Sequence, residues 1–462
     1  MLIHSEERRS GLVCPLDTKM KKCDLDRKFN NKNIEVHYGL QTGACSANRG
    51  RDGGIKTMTV NGNSHGRWSS QAKKAPIRPA FTDTLNKQLA QIEITYRTRG
   101  IERIFEEKLK KEENSLYSEH AIEMATWLAV YCFNNDKKLE HKTDIDTTPQ
   151  IIVATEYTIM DVLAGFMKIV KTEEDWTALL KEEPLPKDKE SKKAEKAGNT
   201  AEEKEGKSKS KKKGALFNAI MSYIKSTMDG RKNGIEVSLF GAMQTNDVSR
   251  SVESAVFFNH SYTIAPLAYD TDFFTAMDNY LSKQESDEIA AQSQNGAAFM
   301  SDREFSCHVY YNYVAIDVGQ FYRNMCCGFD MEDENVCEWI HDTVLAAIRE
   351  FLKIVVVSTP SGSQHSFASF SDPVGVYATV RRGGMNRTAD SSIMKFMDPY
   401  SSLTEQDRFV EAMKDFSENE WADVNNYMAK IYCGKDAEKI SAAEPVTKWT
   451  DAIGKIVTLL DD

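Results

Sequence analysis

No apolar stretch in this chain is long enough to cross a bilayer, so a helical membrane span is excluded. The first residues, MLIHSEERRSGLVCPLDTKMKKC, lack the apolar centre and small-residue cleavage site of a secretory signal. The nine cysteines show no paired CxxC spacing, so a zinc ribbon is not indicated. Vicinal Cys326 and Cys327 bridge each other poorly, and a reduced cytoplasmic protein without membrane attachment is the expectation. His37, His65, His260, His308, His341 and His365 form no recognisable metal spacing. No Ser, His and Asp set declares itself. Neither a metal nor another cofactor is expected. What is present is a chain of 462 residues, 41% apolar, long enough for about two or three domains with real cores.

The net charge of -10 makes one segment conspicuous. GACSANRGRDGGIKTMTVNGNSHGRWSSQAKKAPIR, from Gly43 to Arg78, carries Arg49, Arg51, Lys56, Arg67, Lys73, Lys74 and Arg78 against the single acid Asp52. Basic charge concentrated on an acidic protein points to a polyanion held along one groove. Ser69, Ser70 and Gln71 add neutral hydrogen-bonding groups, and a helix beginning near Ser70 would aim free backbone N–H groups at phosphate. NRGRDGG lets backbone approach a phosphate closely.

Elsewhere the pattern gives the organisation. IEVHYGL from Ile34 alternates as a strand. Between Thr82 and Asn134 the period turns helical, with Ile101, Ile104, Phe105 and Leu109 on one face and Met124, Trp127, Leu128 and Tyr131 on another. The run Lys181 to Lys213 is mostly Lys, Glu, Ser and Pro, too polar to fix a fold, and its last lysines, Lys207, Lys209, Lys211, Lys212 and Lys213, are candidate nucleic-acid contacts. Strands are expected at IEVSLF (Ile235–Phe240), after Val252, and from Glu304, where Phe305, Cys307, Val309, Tyr311 and Tyr313 would share a face. A helix with Val336, Ile340, Val344, Ile348 and Leu352 is expected to cover that sheet, followed by a hairpin of HSFASF and PVGVYATV. The fold class predicted is α+β, with a split βαβ sheet of the ferredoxin or RNA-recognition type.

Taken together, IEVHYGLQTGACSANRGRD, RWSSQAKKAPIR, IEVSLFGAM, HSYTIAPLAYDTDFFTAMDNY, EFSCHVYYNYVAID and SQHSFASFSDPVGVYATV resemble the backbone subunit of the type I-E CRISPR surveillance complex, the CasC family of Cascade. The resemblance implies a hand: an RNA-recognition-motif-like palm, a helical finger subdomain and a protruding thumb hairpin. It implies a non-catalytic protein that stacks head to tail with its own copies along a crRNA, beside other Cascade subunits. Short guide segments are thereby presented to target DNA in antiviral defence, sequence being read by base pairing. The corresponding division is a polar extension over 1–32, palm over 33–84, fingers over 85–234 with the flexible insertion 181–213, palm over 235–268, thumb over 269–305, and palm with C-terminal helices over 306–462. Arg49, Arg51, Arg67, Ser69, Ser70, Gln71, Lys73, Lys74, Arg78 and Met243 are the implied RNA contacts. Phe299 and Met300, beyond a turn at Asn295-Gly296, are candidates for the thumb wedge. Pro76 stands where relatives have a helix-compatible residue, so a late start or a kink is expected there.

Two other readings compete. A metal-dependent ribonuclease of type III kind would use Asp52, although a lone carboxylate beside Arg49 and Arg51 reads more readily as an ion-pair partner. A stand-alone single-stranded RNA module would stack bases on exposed Tyr311 or Tyr313.

Overall fold

The computed structural model describes residues 28–88, 95–133, 140–142, 145–147, 151–182, 214–229, 232–243, 251–277, 297–360, 362–384, 386–419 and 426–462. The N-terminal 27 residues, the lysine cluster from Lys207 to Lys213 and the Asn295-Gly296 turn lie outside these. The chain divides into two compact units, one made of Gln91–Ser254 and Arg323–Val336, the other of Lys22–Ala90, Ala255–Tyr322 and Cys337–Asp462.

The strands, in chain order, are β1 (Lys32–Gln41), β2 (Thr57–Val60), β3 (Asn63–Trp68), β4 (Thr95–Thr98), β5 (Glu140–Lys142), β6 (Ile145–Thr147), β7 (Ile152–Thr155), β8 (Val256–Phe258), β9 (Ser261–Thr263), β10 (Asp270–Met277), β11 (Ala297–Phe305), β12 (Val309–Asp317), β13 (Pro373–Arg382), β14 (Asn426–Gly434) and β15 (Glu444–Val446). The second unit is built on a nine-stranded sheet in the order β15-β14-β13-β1-β12-β9-β3-β2, with β8 also on β12. Every pairing in the central run β13-β1-β12-β9 is antiparallel.

β1 is central and buried along nearly its whole length, more than simple alternation predicts. Both faces of the sheet are covered. On one, Val309, Tyr311, Tyr313 and Ala315 pack with Ile393, Met397, Phe409, Met413 and Phe416 from helices Asp390–Lys395 and Glu405–Glu418. On the other, Phe351 of helix Glu334–Val355 meets Phe81 and Phe258 edge-on. The helix expected to cover Tyr311 and Tyr313 therefore covers the opposite face. Gly39 permits the first packing, since a Cβ there would stand 2.9 Å from the Phe409 ring.

A sheet buried on both sides must satisfy its polar side chains internally. Glu35 lies 3.0 Å from Arg381 Nε, off the N–H direction, so the contact is ionic. Glu35 also accepts from Tyr313 OH at 2.7 Å and from Arg387 N at 2.5 Å. Neighbouring His37 shares a hydrogen bond of 3.0 Å with Tyr311 OH. Burial, then the charges of Arg387 and Arg381, push its pKa down to about 3.

The first unit carries a helical core. Phe105, Trp127, Leu128, Phe166, Trp176 and Phe217 bury together, and β4 pairs with β7 beside them. IEVSLF is helical here, contrary to the strand expectation: Ile235–Phe240 begins after Gly234 and stops at Gly241, whose φ of +72° leaves the helix. A six-residue apolar run does not distinguish helix from strand by period alone. HSFASF is not a strand either, because Gln364–Phe367 forms a single helical turn. PVGVYATV pairs with β1 and β14 instead. Phe305 ends β11 and Cys307 falls in the break before β12, so neither shares the Tyr311 face. At the other boundary, Phe29 stacks on His341 within the core, so the fold includes residues before 33.

Candidate nucleic-acid interface

β1 leads into the basic segment, where backbone bonds fold Asn48 to Lys56 back on itself. Gly50 N donates to Gly54 O at 2.8 Å, and Lys56 N donates to Asn48 O. Arg49 and Arg51 project from this loop into solvent. Asp52 Oδ1 accepts from Gly54 N at 3.2 Å. That is an Asx-type turn, and no ion pair joins Asp52 to Arg49 or Arg51 among the described residues. The ion-pair reading of Asp52 is thus replaced by a turn. The loop is fastened to β3, since Asn48 Nδ2 donates to Arg67 O at 2.8 Å and Arg67 N to Lys56 O at 2.7 Å.

Directly after β3 comes helix Ser70–Gln88. Ser69 Oγ caps it by accepting from Ala72 N at 3.3 Å, which fixes the start. The helix includes Pro76 and Pro79, so it begins at Ser70 rather than late. Its first-turn N–H groups stand beside half-buried Ser70 and exposed Gln71, and no acid occupies that turn.

The cations of this element divide. Lys73 turns inward and is only 2% exposed; its Nζ donates to Asn259 Oδ1 at 2.9 Å, and burial, then Lys74, hold its pKa well below the usual lysine value. The expectation that Lys73 is a surface cation is therefore corrected: in this fold it pins the Asn259 turn. Lys74 sits over the Phe258 ring at 5.2 Å, and Arg78 follows one turn later on the half-buried side. Arg67 Nη1 donates to His260 Nδ1 at 2.9 Å.

The hairpin β10–β11 forms a separate two-stranded ladder, in which Phe299 pairs with Ala276 and Met300 with Thr275. Its base is tied to the basic loop. Ile55 N donates to Glu304 Oε2 at 2.9 Å, Cys45 bridges Ser306, and Thr42 Oγ1 donates to His308 O. His308 Nδ1 donates to Glu405 Oε1 at 2.8 Å. Burial lowers the His308 pKa, but the hydrogen bond and charge of Glu405 outweigh it and the value is raised.

Met243 belongs to the first unit and is 80% exposed, so it is not a core methionine of that unit. Tyr311 and Tyr313 are 0% and 3% exposed, which removes them as stacking platforms. Sequence reasoning missed His260, Asn259 and the two phenylalanines before them. The signal was FFNHS, two aromatics followed by two polar ring or amide groups just where a strand breaks.

The described cysteines are all free thiols, and no described helix is long and apolar enough to cross a membrane. Among the described residues no group of three or more His, Cys, Asp and Glu is placed to hold a metal. The model of the family of CT1975-like proteins (Cas_CT1975) matches residues 34–452. The chain belongs to that family. Members of solved assemblies share its fold. A chain of a CRISPR RNA-guided surveillance complex, pre-nicking, is similar with a TM-score of 0.61 at 19% identity, covering 93% of this chain and 100% of that one. A chain of a second CRISPR RNA-guided surveillance complex is similar with a TM-score of 0.50 at 15% identity, covering 92% and 98%. No curated protein matches. The mixed α+β architecture is therefore that of surveillance-complex subunits.

Proposed function

We propose that this member of the CT1975-like family is a non-catalytic crRNA-binding backbone subunit of a Cascade complex of type I-E, stacking in copies along the guide. The observation that carries the reading is the continuity of the loop 48–56, Arg67 and the Ser70 helix start, which sets Arg49, Arg51, Arg67, Ser70, Gln71 and Lys74 along one connected stretch of one unit. These groups suit contacts to phosphate and ribose, which position a guide without reading it. A guide of any sequence is then held alike, and discrimination passes to pairing with target DNA. The order β13-β1-β12-β9, with a helix between β1 and β9 and another between β12 and β13, supports an RNA-recognition-motif-like palm, and the β10–β11 ladder supports a thumb.

The ribonuclease reading receives less support, because Asp52 is engaged in its own turn. The test is binding of the full chain to several unrelated single-stranded RNAs at fixed salt. Equal affinities, with a periodic footprint on long RNA, are expected. Strong preference for one sequence, or cleavage of the RNA, would overturn the proposal.

A further inference from the structure

His260 sits in the break between β8 and β9, exposed on the surface that carries Arg67 and the Ser70 helix start. Arg67 Nη1 donates to His260 Nδ1 at 2.9 Å. An imidazole nitrogen can accept that bond only while it is unprotonated. The turn itself is held rigidly: Asn259 Oδ1 accepts both from Lys73 Nζ and from Tyr313 N, each at 2.9 Å. The charged groups facing His260 are all cations, Arg67 from β3 and Lys73 from the helix, with Lys74 beyond on Phe258. Burial, then Arg67, then Lys73, lower the His260 pKa, and no carboxylate of the described residues is among the charges acting on it.

A site of this kind changes when an anion enters. A phosphate beside Arg67 supplies the negative charge the cluster lacks, stabilising an imidazolium and giving the guanidinium a better acceptor than a neutral ring. We infer that His260 is a proton-linked contact for the RNA backbone: neutral and accepting from Arg67 in the free chain, and protonated from solvent at Nδ1 when a phosphate settles between the two. One proton is taken up per site, and Arg67 moves its bond from the ring to a phosphate oxygen.

This inference rests on the RNA-binding reading and deepens it. The full chain is titrated with a single-stranded RNA of fixed length and mixed sequence from pH 5.5 to 8, and by calorimetry in two buffers of different ionisation enthalpy. Affinity is expected to rise about tenfold from pH 7.5 to pH 6, which by linkage over about 1.5 pH units is a mean net uptake of about 0.7 proton per site. His260→Gln is expected to flatten that profile and abolish the uptake, while His120→Gln in the other unit leaves both as in the parent chain. RNA binding with the same pH slope in parent and His260→Gln, or with no proton uptake, overturns this inference alone. Absence of RNA binding at every pH overturns it together with the reading beneath it.

Discussion

Replacing Glu35 by alanine is expected to be among the most damaging single changes in the nine-stranded sheet. The carboxylate and the Arg381 guanidinium are 1% and 0% exposed and 3.0 Å apart. At an effective dielectric of about 20, two unit charges at that distance attract by about 5.5 kcal/mol, most of it offset by their desolvation. The net worth of the pair is small, but the cost of breaking it is not: Glu35→Ala strands a buried cation and leaves Tyr313 OH and Arg387 N without their acceptor. A loss of about 3–5 kcal/mol follows. Arg381→Met in the same chain removes the stranded charge, so the double variant is expected to recover about 2 kcal/mol relative to the sum of the singles. Urea unfolding gives the totals, and hydrogen exchange of the β1 and β13 amides shows that the loss is local to this sheet. Should Glu35→Ala cost under about 1 kcal/mol, or the two changes add, the ionic contact is not what holds this layer.

His37 makes the nine-stranded sheet acid-sensitive. Its pKa lies near 3 folded against about 6.5 unfolded, so its contribution is complete above pH 6.5 and falls away as pH drops toward 3; at pH 5 the loss is about 2 kcal/mol. His37→Phe should remove that slope in unfolding experiments. Charge reversal at Lys74 and Arg78 is expected to weaken RNA binding equally for all sequences and to reduce the salt slope by at least about 1.4, that is about 0.7 per phosphate contact; an unchanged slope contradicts their assignment. Glu304→Ala takes the acceptor from Ile55 N, and exchange of that amide should accelerate several-fold for a bond worth about 1 kcal/mol.

Much of this architecture can be read from residue pattern. The β1 strand, the capped start at Ser70 and the long helix ending near Val355 follow from period and capping alone, since each is strongly patterned. The errors fall where local pattern is silent about neighbours. IEVSLF fits a strand or a buried helix equally, and only flanking Gly234 and Gly241 decide it. Lys73 looks like its neighbours Lys74 and Arg78 in a list of cations, yet the helix turns it toward Asn259. Which helix covers Tyr311 depended on contacts with Phe409 and Phe416, about a hundred residues later in the chain. β14 and β15 extend the sheet beyond what a helical C-terminus would suggest, because strand pairing with β13 is a long-range event.

The stitching of residues 304–308 to Thr42, Cys45 and Ile55 gives the β10–β11 ladder a stiff root in place of a hinge. A force applied to the ladder is carried straight into the loop that bears Arg49 and Arg51, as a lever carries load through its fulcrum. Lengthening or re-aiming the projection therefore tilts those two arginines as well, and the reach of one and the aim of the other are constrained to change together.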